Sequence, residues 1–270
     1  MLRKIFKKEQ GIIIGAIHFP PLLGYPGFPG FNVALKNALK DLQVLQAGGV
    51  DGVIIENNYD TPHKIMVGPE TVSSMVHLGQ EMRKKISLPL GVSVLWNDFA
   101  SSLAIAKVLG ARFVRIPVFV DKVKTDYGIV DGDAKAVLEY RRSIKAENIA
   151  LFTDIQVKHA EILSKRPLVE SAQEAIKAGS DALIITGKWT GQAPDLEELK
   201  LVRKKVGSFP IFVGSGADID NVKSLLEYTN GVIVSTSLKK GVGKKEEINI
   251  KTWKQRMILN NVRRLMKAIK

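Results

Sequence analysis

Eight short apolar runs alternate with longer segments of helical periodicity, and this alternation constrains the fold more than any other feature of the sequence. The apolar runs, which we interpret as strands, are residues 11–19, 52–56, 90–95, 113–119, 149–155, 182–186, 210–214 and 231–235. The helical patterns are residues 33–47, 69–85, 99–109, 133–146, 169–178, 196–206, 219–227 and 250–268. Most of the runs are apolar at consecutive positions, as strands of a parallel sheet covered on both faces are. Repeated βα units over 270 residues predict one domain, a (β/α)8 TIM barrel with a closed parallel eight-stranded sheet. A doubly wound open sheet is the alternative.

The formal charge of +13 is concentrated at the two ends of the chain. Residues 1–10 carry a net charge of +3 and residues 239–270 a net charge of +9, which leaves 25 bases against 24 acids in residues 11–238. We expect residues 1–10 to form a basic plug in which Leu2, Ile5 and Phe6 close the barrel bottom. Residues 239–270 form a basic segment with the eighth helix, and both ends are expected on the face opposite the active site. No motif or aromatic interleaving for stacking accompanies the bases, so no nucleic-acid partner is predicted.

Cysteine is absent, which excludes disulfides, thiolate metal sites and a cysteine nucleophile and fits a cytoplasmic setting. The apolar stretch after the basic start is too short for a signal peptide, and no segment reaches the roughly 20 apolar residues that span a bilayer. The last helix has a basic amphipathic pattern. It could contact an anionic membrane peripherally, but packing as an outer barrel helix is favoured.

Eight motifs, in order along the chain, resemble those of one known family. They are Gly-Ala-Ile-His-Phe-Pro-Pro-Leu at 15–22, Asp-Gly-Val-Ile-Ile-Glu-Asn-Asn at 51–58, Gly-Val-Ser-Val-Leu-Trp-Asn-Asp at 91–98, Phe-Val-Arg-Ile at 113–116, Thr-Asp-Ile-Gln-Val-Lys-His-Ala at 153–160, Thr-Gly at 186–187 and 190–191, Val-Gly-Ser-Gly at 213–216, and Leu-Lys-Lys-Gly at 238–241. The chain resembles the BtpA/SgcQ family, which implies the TIM-barrel fold. The resemblance implies two different activities, since one branch of the family is a peripheral membrane factor of photosystem I biogenesis and another accompanies sugar metabolism.

Polar residues that follow the predicted strands are the candidates for an active site, because a TIM barrel builds its site at the carboxyl ends of its strands. The candidates for acid/base catalysis are Asp154, Glu56, His18, Lys158 and His159. Carboxylates that face one barrel mouth can have their pKa values separated by burial and by neighbouring charges. The structural alternative is that Asp154 with Arg115, and Glu56 with Lys158, are ion pairs that close the top of the barrel.

Loops after the seventh and eighth strands predict a phosphate site. They contain Gly214, Ser215, Gly216, Ser235 and Thr236, where glycines let backbone N–H groups approach an anion and a following helix adds its positive end. The alternative is that the glycines only permit a tight turn. The remaining candidates for ligand contact are Asn57, Asn97, Arg115, Thr186 and Gly187.

A divalent metal is a possible cofactor if His18, Glu56, Asp154 and His159 converge, although no closed ligand motif is present. Lys188 is better explained as an exposed loop lysine than as an imine-forming one. The proline-rich loop 20–31 could form a lid over the mouth or present a surface to a partner; packing against a neighbouring subunit or loop is the alternative.

Together these features predict an enzyme that binds a small phosphorylated metabolite of sugar or nucleotide type and forms a homo-oligomer. The residues leave isomerase, lyase and hydrolase chemistry open. The alternative function is a non-catalytic peripheral membrane or complex-biogenesis factor that docks through its basic ends.

Overall fold

Eight parallel strands close into a barrel, which confirms the predicted TIM-barrel fold. The computed structural model describes residues 1–187, 192–239 and 253–269. Its strands are β1 (Ile12–His18), β2 (Gly52–Glu56), β3 (Leu90–Ser93), β4 (Phe113–Ile116), β5 (Lys122–Thr125), β6 (Gly128–Asp131), β7 (Ala150–Asp154), β8 (Glu161–Ile162), β9 (Ala182–Ile185), β10 (Ile211–Val213) and β11 (Gly231–Val234). The barrel order is β1-β2-β3-β4-β7-β9-β10-β11, and β11 pairs back onto β1. These eight strands are the eight predicted from the sequence.

After the first helix, which lies under the barrel, the helices alternate with the barrel strands and cover them from outside. They are α1 (Leu2–Phe6), α2 (Phe31–Gly48), α3 (Pro69–Arg83), α4 (Phe99–Leu109), α5 (Ala134–Ser143), α6 (Leu168–Lys177), α7 (Leu196–Val206), α8 (Val222–Tyr228) and α9 (Leu259–Ala268). Side-chain caps define several starts: Asp98 accepts a hydrogen bond from Ser101 N at the start of α4, and Asp133 does the same from Ala136 N for α5. Left-handed glycines at 49 and 110 end α2 and α4.

Two helices begin later than their sequence patterns predict. Helix α8 starts at Val222 instead of 219, because Asp218 Oδ1 accepts hydrogen bonds from the backbone N–H groups of residues 220 and 221 and holds a turn there. Helix α9 starts at Leu259 instead of 250. The preceding residues are held in an extended conformation, since Met257 N donates to Asp41 Oδ1 at 3.0 Å and Ile258 N donates to Leu238 O at 2.9 Å. Residues 250–252 lie outside the described part of the chain.

The N-terminal helix α1 packs under the amino ends of the barrel strands. The Phe6 ring lies 5.7 Å from that of Phe113, 6.4 Å from that of Phe152 and 6.3 Å from that of Phe212. Leu2 and Ile5 belong to the same buried cluster. This apolar layer closes the bottom of the barrel, so a ligand must enter from the opposite end.

A small antiparallel sheet stands on the mouth side of the barrel, where the sequence predicts only irregular loops. Strand β5 pairs with β6 and with β8. Its buried residues Val123 and Val130 form a cluster with Trp96, Val118 and Val157. These strands are short, and lysines alternate with other residues along β5. The small sheet therefore lacks the continuous apolar runs by which the barrel strands are recognised in the sequence.

The basic C-terminal segment begins at the mouth and not at the bottom of the barrel, which corrects the expectation from the sequence. Lys239 follows the carboxyl end of β11 and a short 3-10 turn, Thr236–Leu238. Its Nζ lies 3.4 Å from Tyr59 Oη and 5.6 Å from the centre of that ring. Residues 240–252 and 270 of this basic segment lie outside the described residues, and residues 253–269 lead into helix α9.

Candidate active site

A cavity of about 420 Å³ occupies the barrel mouth. The ends of five barrel strands reach it, through His18 at the end of β1, Glu56 at the end of β2, Arg115 of β4, Gly214 after β10 and Ser235 after β11. Lys158, from the turn after β7, also lines it. The candidates His159, Ser215, Gly216 and Thr236 line it as well, so ten of the fifteen candidate residues face one volume.

Arg115 organises the charges at the floor of this cavity. Its Nε donates to Asp154 Oδ1 at 2.8 Å and its Nη2 to Asp154 Oδ2 at 2.7 Å, while Nη1 lies 3.5 Å from Glu56 Oε1. His18 Nε2 lies 3.4 Å from Glu56 Oε2 on the other side. The side chains of Arg115, Glu56 and Asp154 are 9%, 6% and 0% exposed, so one buried guanidinium is paired with two buried carboxylates.

The pKa values of these groups follow from burial and from their neighbours. Burial alone would raise the pKa of Glu56, but the contact with His18 and the charge of Arg115 lower it to about 2. Burial lowers the pKa of His18, and the contact with Glu56 only partly opposes this shift. Burial alone would lower the pKa of Arg115, yet the charges of Asp154 and Glu56 hold it above its ordinary value. At neutral pH the floor therefore contains an ionised Glu56, a charged Arg115 and a neutral His18.

Asp154 lies behind Arg115 and does not line the cavity. Burial raises the pKa of Asp154, while the charge and the two hydrogen bonds of Arg115 oppose that rise. Each of its two oxygens accepts a hydrogen bond from the guanidinium, and Asp154 is not among the residues that line the cavity. Of the two ion pairs considered from the sequence, Asp154 with Arg115 is formed. Glu56 pairs with Arg115 and His18, and not with Lys158.

Lys158 enters the cavity from a turn whose backbone is held at several points. Ile155 N donates to Ile184 O, Gln156 N to Asp121 Oδ2 and Lys158 N to Thr186 Oγ1. Burial and the charge of Arg115 lower the pKa of Lys158 to about 8. His159 follows on the exposed side of the turn and also borders the cavity.

The wall opposite this turn contains the predicted phosphate loops. Gly216 has φ +72°, and a Cβ there would lie 2.0 Å from Ala193 N, so a glycine is required by packing. Ser215 Oγ accepts from Gly187 N and donates to Gln192 O. Within the described ranges no acceptor pairs with the backbone N–H groups of residues 216 and 217.

Ser235 differs from Ser215, because its hydroxyl is buried and unpaired. The residue is 9% exposed, and its Oγ makes no hydrogen bond with any described residue. It lines the cavity next to Thr236, which begins the 3-10 turn after β11. A buried hydroxyl without a partner on the wall of a cavity is a donor that a ligand can use.

Four of the predicted ligand contacts instead hold the backbone or line a neighbouring space. Asn57 accepts from Leu95 N at 2.7 Å and donates to Asp60 Oδ2 and Leu95 O. Asn97 accepts from Val118 N and donates to Val118 O. Neither lines the cavity, since both amides are used to join strand ends. Thr186 and Gly187 line an adjoining cavity of about 920 Å³, which shares Lys158 and His159 with the first.

The four residues considered for a metal do not form a ligand set. Among the described residues no group of three histidines and carboxylates is arranged to hold an ion. Both Asp154 oxygens are taken by Arg115, whose charge would repel a cation at Glu56. Lys188 and the second Thr-Gly motif, at 190–191, lie outside the described residues.

Comparison with known proteins identifies the family. The model of the BtpA family matches residues 9–264. The chain belongs to the BtpA family. It is 38% identical over 231 residues to the photosystem I biogenesis protein BtpA of Synechocystis sp., covering 84% of this chain and 80% of that relative. It is 36% identical over 241 residues to an uncharacterized protein of Pyrococcus horikoshii, covering 88% and 91% of the two chains.

Solved structures similar to this BtpA-family chain share its fold. They include wild-type GGGPS from Thermoplasma volcanium, with a TM-score of 0.60, 11% identity, and 100% and 97% of the two chains covered. The N-(5'-phosphoribosyl)anthranilate isomerase of Pyrococcus furiosus has a TM-score of 0.56 at 13% identity, covering 96% and 98%. The native KDPGal structure has a TM-score of 0.57 at 14% identity, covering 95% and 93%. At these identities the likeness establishes the barrel and not the reaction.

Several residues of this BtpA-family cavity were not among the candidates from the sequence. His63, Trp96, Asp126 and Tyr127 line it from loops on the mouth side. Asp126 and Tyr127 form the tip of the β5-β6 hairpin, and the His63 ring packs edge-on against Tyr127 at 5.3 Å. Burial lowers the pKa of His63 to about 4. Only Trp96 lies in one of the motifs noted in the sequence, at 91–98; the proximity of the other three residues depends on how the loops fold over the barrel.

The loop 20–31 does not cover the cavity as a lid. None of its residues lines either cavity. Leu22 is buried, and its backbone N–H donates to Asp60 Oδ1 at 2.8 Å, while Tyr25 is 8% exposed. The loop is therefore packed onto the barrel beside the mouth.

Proposed function

We propose that this BtpA-family barrel is an enzyme that acts on a small phosphorylated metabolite of sugar or nucleotide type. The observation that carries the proposal is that one cavity combines unpaired hydrogen-bond donors on one wall with a cluster of ionisable groups on its floor. The donors belong to Ser235 and to residues 216–217, and the ionisable groups are His18, Glu56, Arg115 and Lys158. Such a division suits a substrate with an anionic end and a reactive end.

The anionic end is best accommodated between the loops after β10 and β11. Backbone N–H groups and a hydroxyl are the usual donors to phosphate, and these two loops form the recurrent phosphate site of TIM barrels. Helix α8 has seven residues and begins at Val222, so its N-terminus is not part of the proposed site. The N-(5'-phosphoribosyl)anthranilate isomerase that shares the fold bears a phosphoribosyl substrate in its name.

The reactive end would face the floor. His18 lies beside the ionised Glu56, and because burial lowers its pKa it is held in the neutral form that can accept a proton from the substrate. Arg115 would stabilise negative charge that develops on the substrate. Asp154 acts through Arg115, whose guanidinium it orients with two hydrogen bonds, and is a positioning residue.

Thermal shift with paired compounds tests this proposal. Phosphorylated sugars and nucleotides should raise Tm, by about 5 °C at 100 times Kd, and the same compounds without phosphate should not. Ser235→Asp places a negative charge against the phosphate and should abolish the increase in Tm. Ser235→Asn introduces a side chain of the same shape as aspartate but without the charge, and it should retain most of the increase. Equal shifts with and without phosphate, or a full shift in Ser235→Asp, would contradict the proposed site.

A homo-oligomer remains part of the proposal, and light scattering after size exclusion tests it. The alternative of a docking factor has no observation in its favour in the described part of the chain. No helix there is long and apolar enough to cross a membrane. Of the ten basic residues after Lys239, four lie in 240–252 and one is Lys270, and these five lie outside the described residues.

A further inference from the structure

One ionisable group of the cavity has no ion pair within 4 Å among the described residues. Lys158 extends into the mouth from the turn after β7 and borders both cavities. We propose that Lys158 is a nucleophile that forms an imine with a ketone or aldehyde carbon of the substrate. The proposal rests on the proposed function for the phosphorylated substrate class, and on the geometry of Lys158 for the reaction.

The first argument is that the Lys158 amine has no direct partner in the described part of the chain. Among the described residues its Nζ makes no hydrogen bond and no ion pair within 4 Å, and its one polar contact is from the backbone N–H to Thr186 Oγ1. The two carboxylates near it, Glu56 and Asp154, are both engaged by Arg115. A lysine that serves only stability inside a protein is normally paired, because an unpaired buried charge is unfavourable.

The second argument is that the backbone around Lys158 is fixed at a strained conformation. Gln156 has φ +47° and His159 has φ +59°, in the left-handed region that residues with a side chain rarely adopt. Hydrogen bonds hold the turn there, from Gln156 N to Asp121 Oδ2 at 2.9 Å and from Gln156 Nε2 to Arg166 O at 2.9 Å. Strain of this kind persists where the surrounding structure over-determines it, and it directs Lys158 inward.

The third argument is the amount of free amine. With a pKa lowered from 10.5 to about 8, about a tenth of the amine is unprotonated at pH 7, against roughly one part in 3,000 for an ordinary lysine. Desolvation and an adjacent cation, here Arg115, are the two conditions that activate a lysine as a nucleophile.

The reaction is balanced without a further reactant. The neutral amine attacks the carbonyl carbon, an N–C bond forms, and the π-electron pair of the C=O bond moves to oxygen. A proton passes from nitrogen to that oxygen and gives a carbinolamine. The C–O bond then breaks as the oxygen takes a second proton and leaves as water, while the nitrogen lone pair forms a protonated C=N bond. Counted from the ammonium form, one carbonyl is consumed and one water released. The positive imine can then accept electrons from an adjacent C–H or C–C bond.

Reductive trapping tests the proposal. The protein is incubated with dihydroxyacetone phosphate, ribulose 5-phosphate, fructose 6-phosphate or pyruvate, each with borohydride, and the adduct is located by peptide mass analysis. We expect one adduct at Lys158 with at least one compound. Lys158→Arg and Lys158→Met should lose it, and Lys40→Met, which changes an exposed lysine of α2, should keep it. No adduct with any compound, or adducts spread over surface lysines, would overturn the proposal.

A second measurement does not depend on the identity of the substrate. Reductive methylation with formaldehyde and cyanoborohydride at pH 7 should modify Lys158 at least about tenfold faster than Lys40, because of its larger fraction of free amine. An equal or slower rate would refute the nucleophilic amine. The two proposals also fail separately. Thermal shifts that depend on phosphate, without any trapped adduct, would support the proposed function and contradict the imine. A trapped pyruvate adduct without any phosphate-dependent shift would support the imine and contradict the phosphorylated substrate.

Discussion

Replacing Lys158 by methionine should make the protein more stable, although it removes a residue of the cavity. A pKa lowered from 10.5 to about 8 means that folding opposes the charge of this lysine by up to about 3 kcal/mol. Since the side chain is only partly covered, we expect a gain of about 1–3 kcal/mol in the free energy of unfolding at pH 7.

The pH dependence separates this effect from the added apolar surface of methionine. The pKa of Lys158 is lower in the folded state, so its unfavourable contribution is complete below pH 8 and disappears as the pH rises towards 10.5. Urea denaturation of the wild type, Lys158→Met and Lys40→Met at pH 7 and pH 10 measures it. The advantage of Lys158→Met should shrink at pH 10, and Lys40→Met should show no such trend. A less stable Lys158→Met at pH 7, or a gain equal at both values, would refute the reasoning.

Three further predictions concern the floor and the bottom of the barrel. Glu56→Gln should lower the free energy of unfolding by about 3 kcal/mol above pH 4.5, because the pKa of Glu56 falls from 4.5 to about 2 on folding. In urea titrations the difference from the wild type should become smaller as the pH falls from 4.5 towards 2, and a difference that stays constant would contradict this prediction. Asp154→Asn leaves Arg115 without its bidentate partner and should lower the free energy of unfolding by about 3–5 kcal/mol, so a loss below 1 kcal/mol would show that the pair is not buried. Phe6→Ala should cost about 3–5 kcal/mol in chemical denaturation yet leave ligand-induced thermal shifts unchanged, because the ring lies at the closed end of the barrel; lost ligand binding in a folded variant would be the contrary result.

The barrel was predictable from the sequence because most of its strands are apolar on both faces. Runs such as 52–56 and 231–235 have this pattern, and their spacing leaves room for one helix after each. The same rule also located the cavity, because polar residues at the carboxyl ends of barrel strands converge wherever the barrel closes. His18, Glu56 and Arg115 were found in this way.

The roles of these residues depended on side-chain directions that the sequence does not encode. Asp154 ends a barrel strand as Glu56 does, yet its side chain points behind Arg115 and not into the cavity. Asn57 and Asn97 follow their strands closely, and their amides close neighbouring backbone segments instead. A position at the end of a strand determines how far along the barrel axis a residue lies, but it does not determine which residue its side chain contacts.

Contacts between loops could not be predicted from the sequence either. Strands β5 and β6 are too short and too charged to be recognised, and their pairing creates the hairpin that brings Tyr127 to the mouth. The late start of α9 depends on Asp41, which is 216 positions away from Met257. Local patterns carry no information about such distant acceptors.

The packing around Gly216 has a consequence for how this quarter of the mouth can change. A Cβ at 216 would meet Ala193 N, a Cβ at Gly187 would meet Gln192 O at 2.4 Å, and Ser215 Oγ already donates to that same carbonyl. The loops after β9 and β10 are thus interlocked at one dipeptide, Gln192-Ala193. If only one loop is varied, almost every side chain at 187 or 216 would clash with the unchanged backbone of the other loop. A mutant library intended to change the substrate should therefore vary both loops together and should also vary the length of the loop after β9.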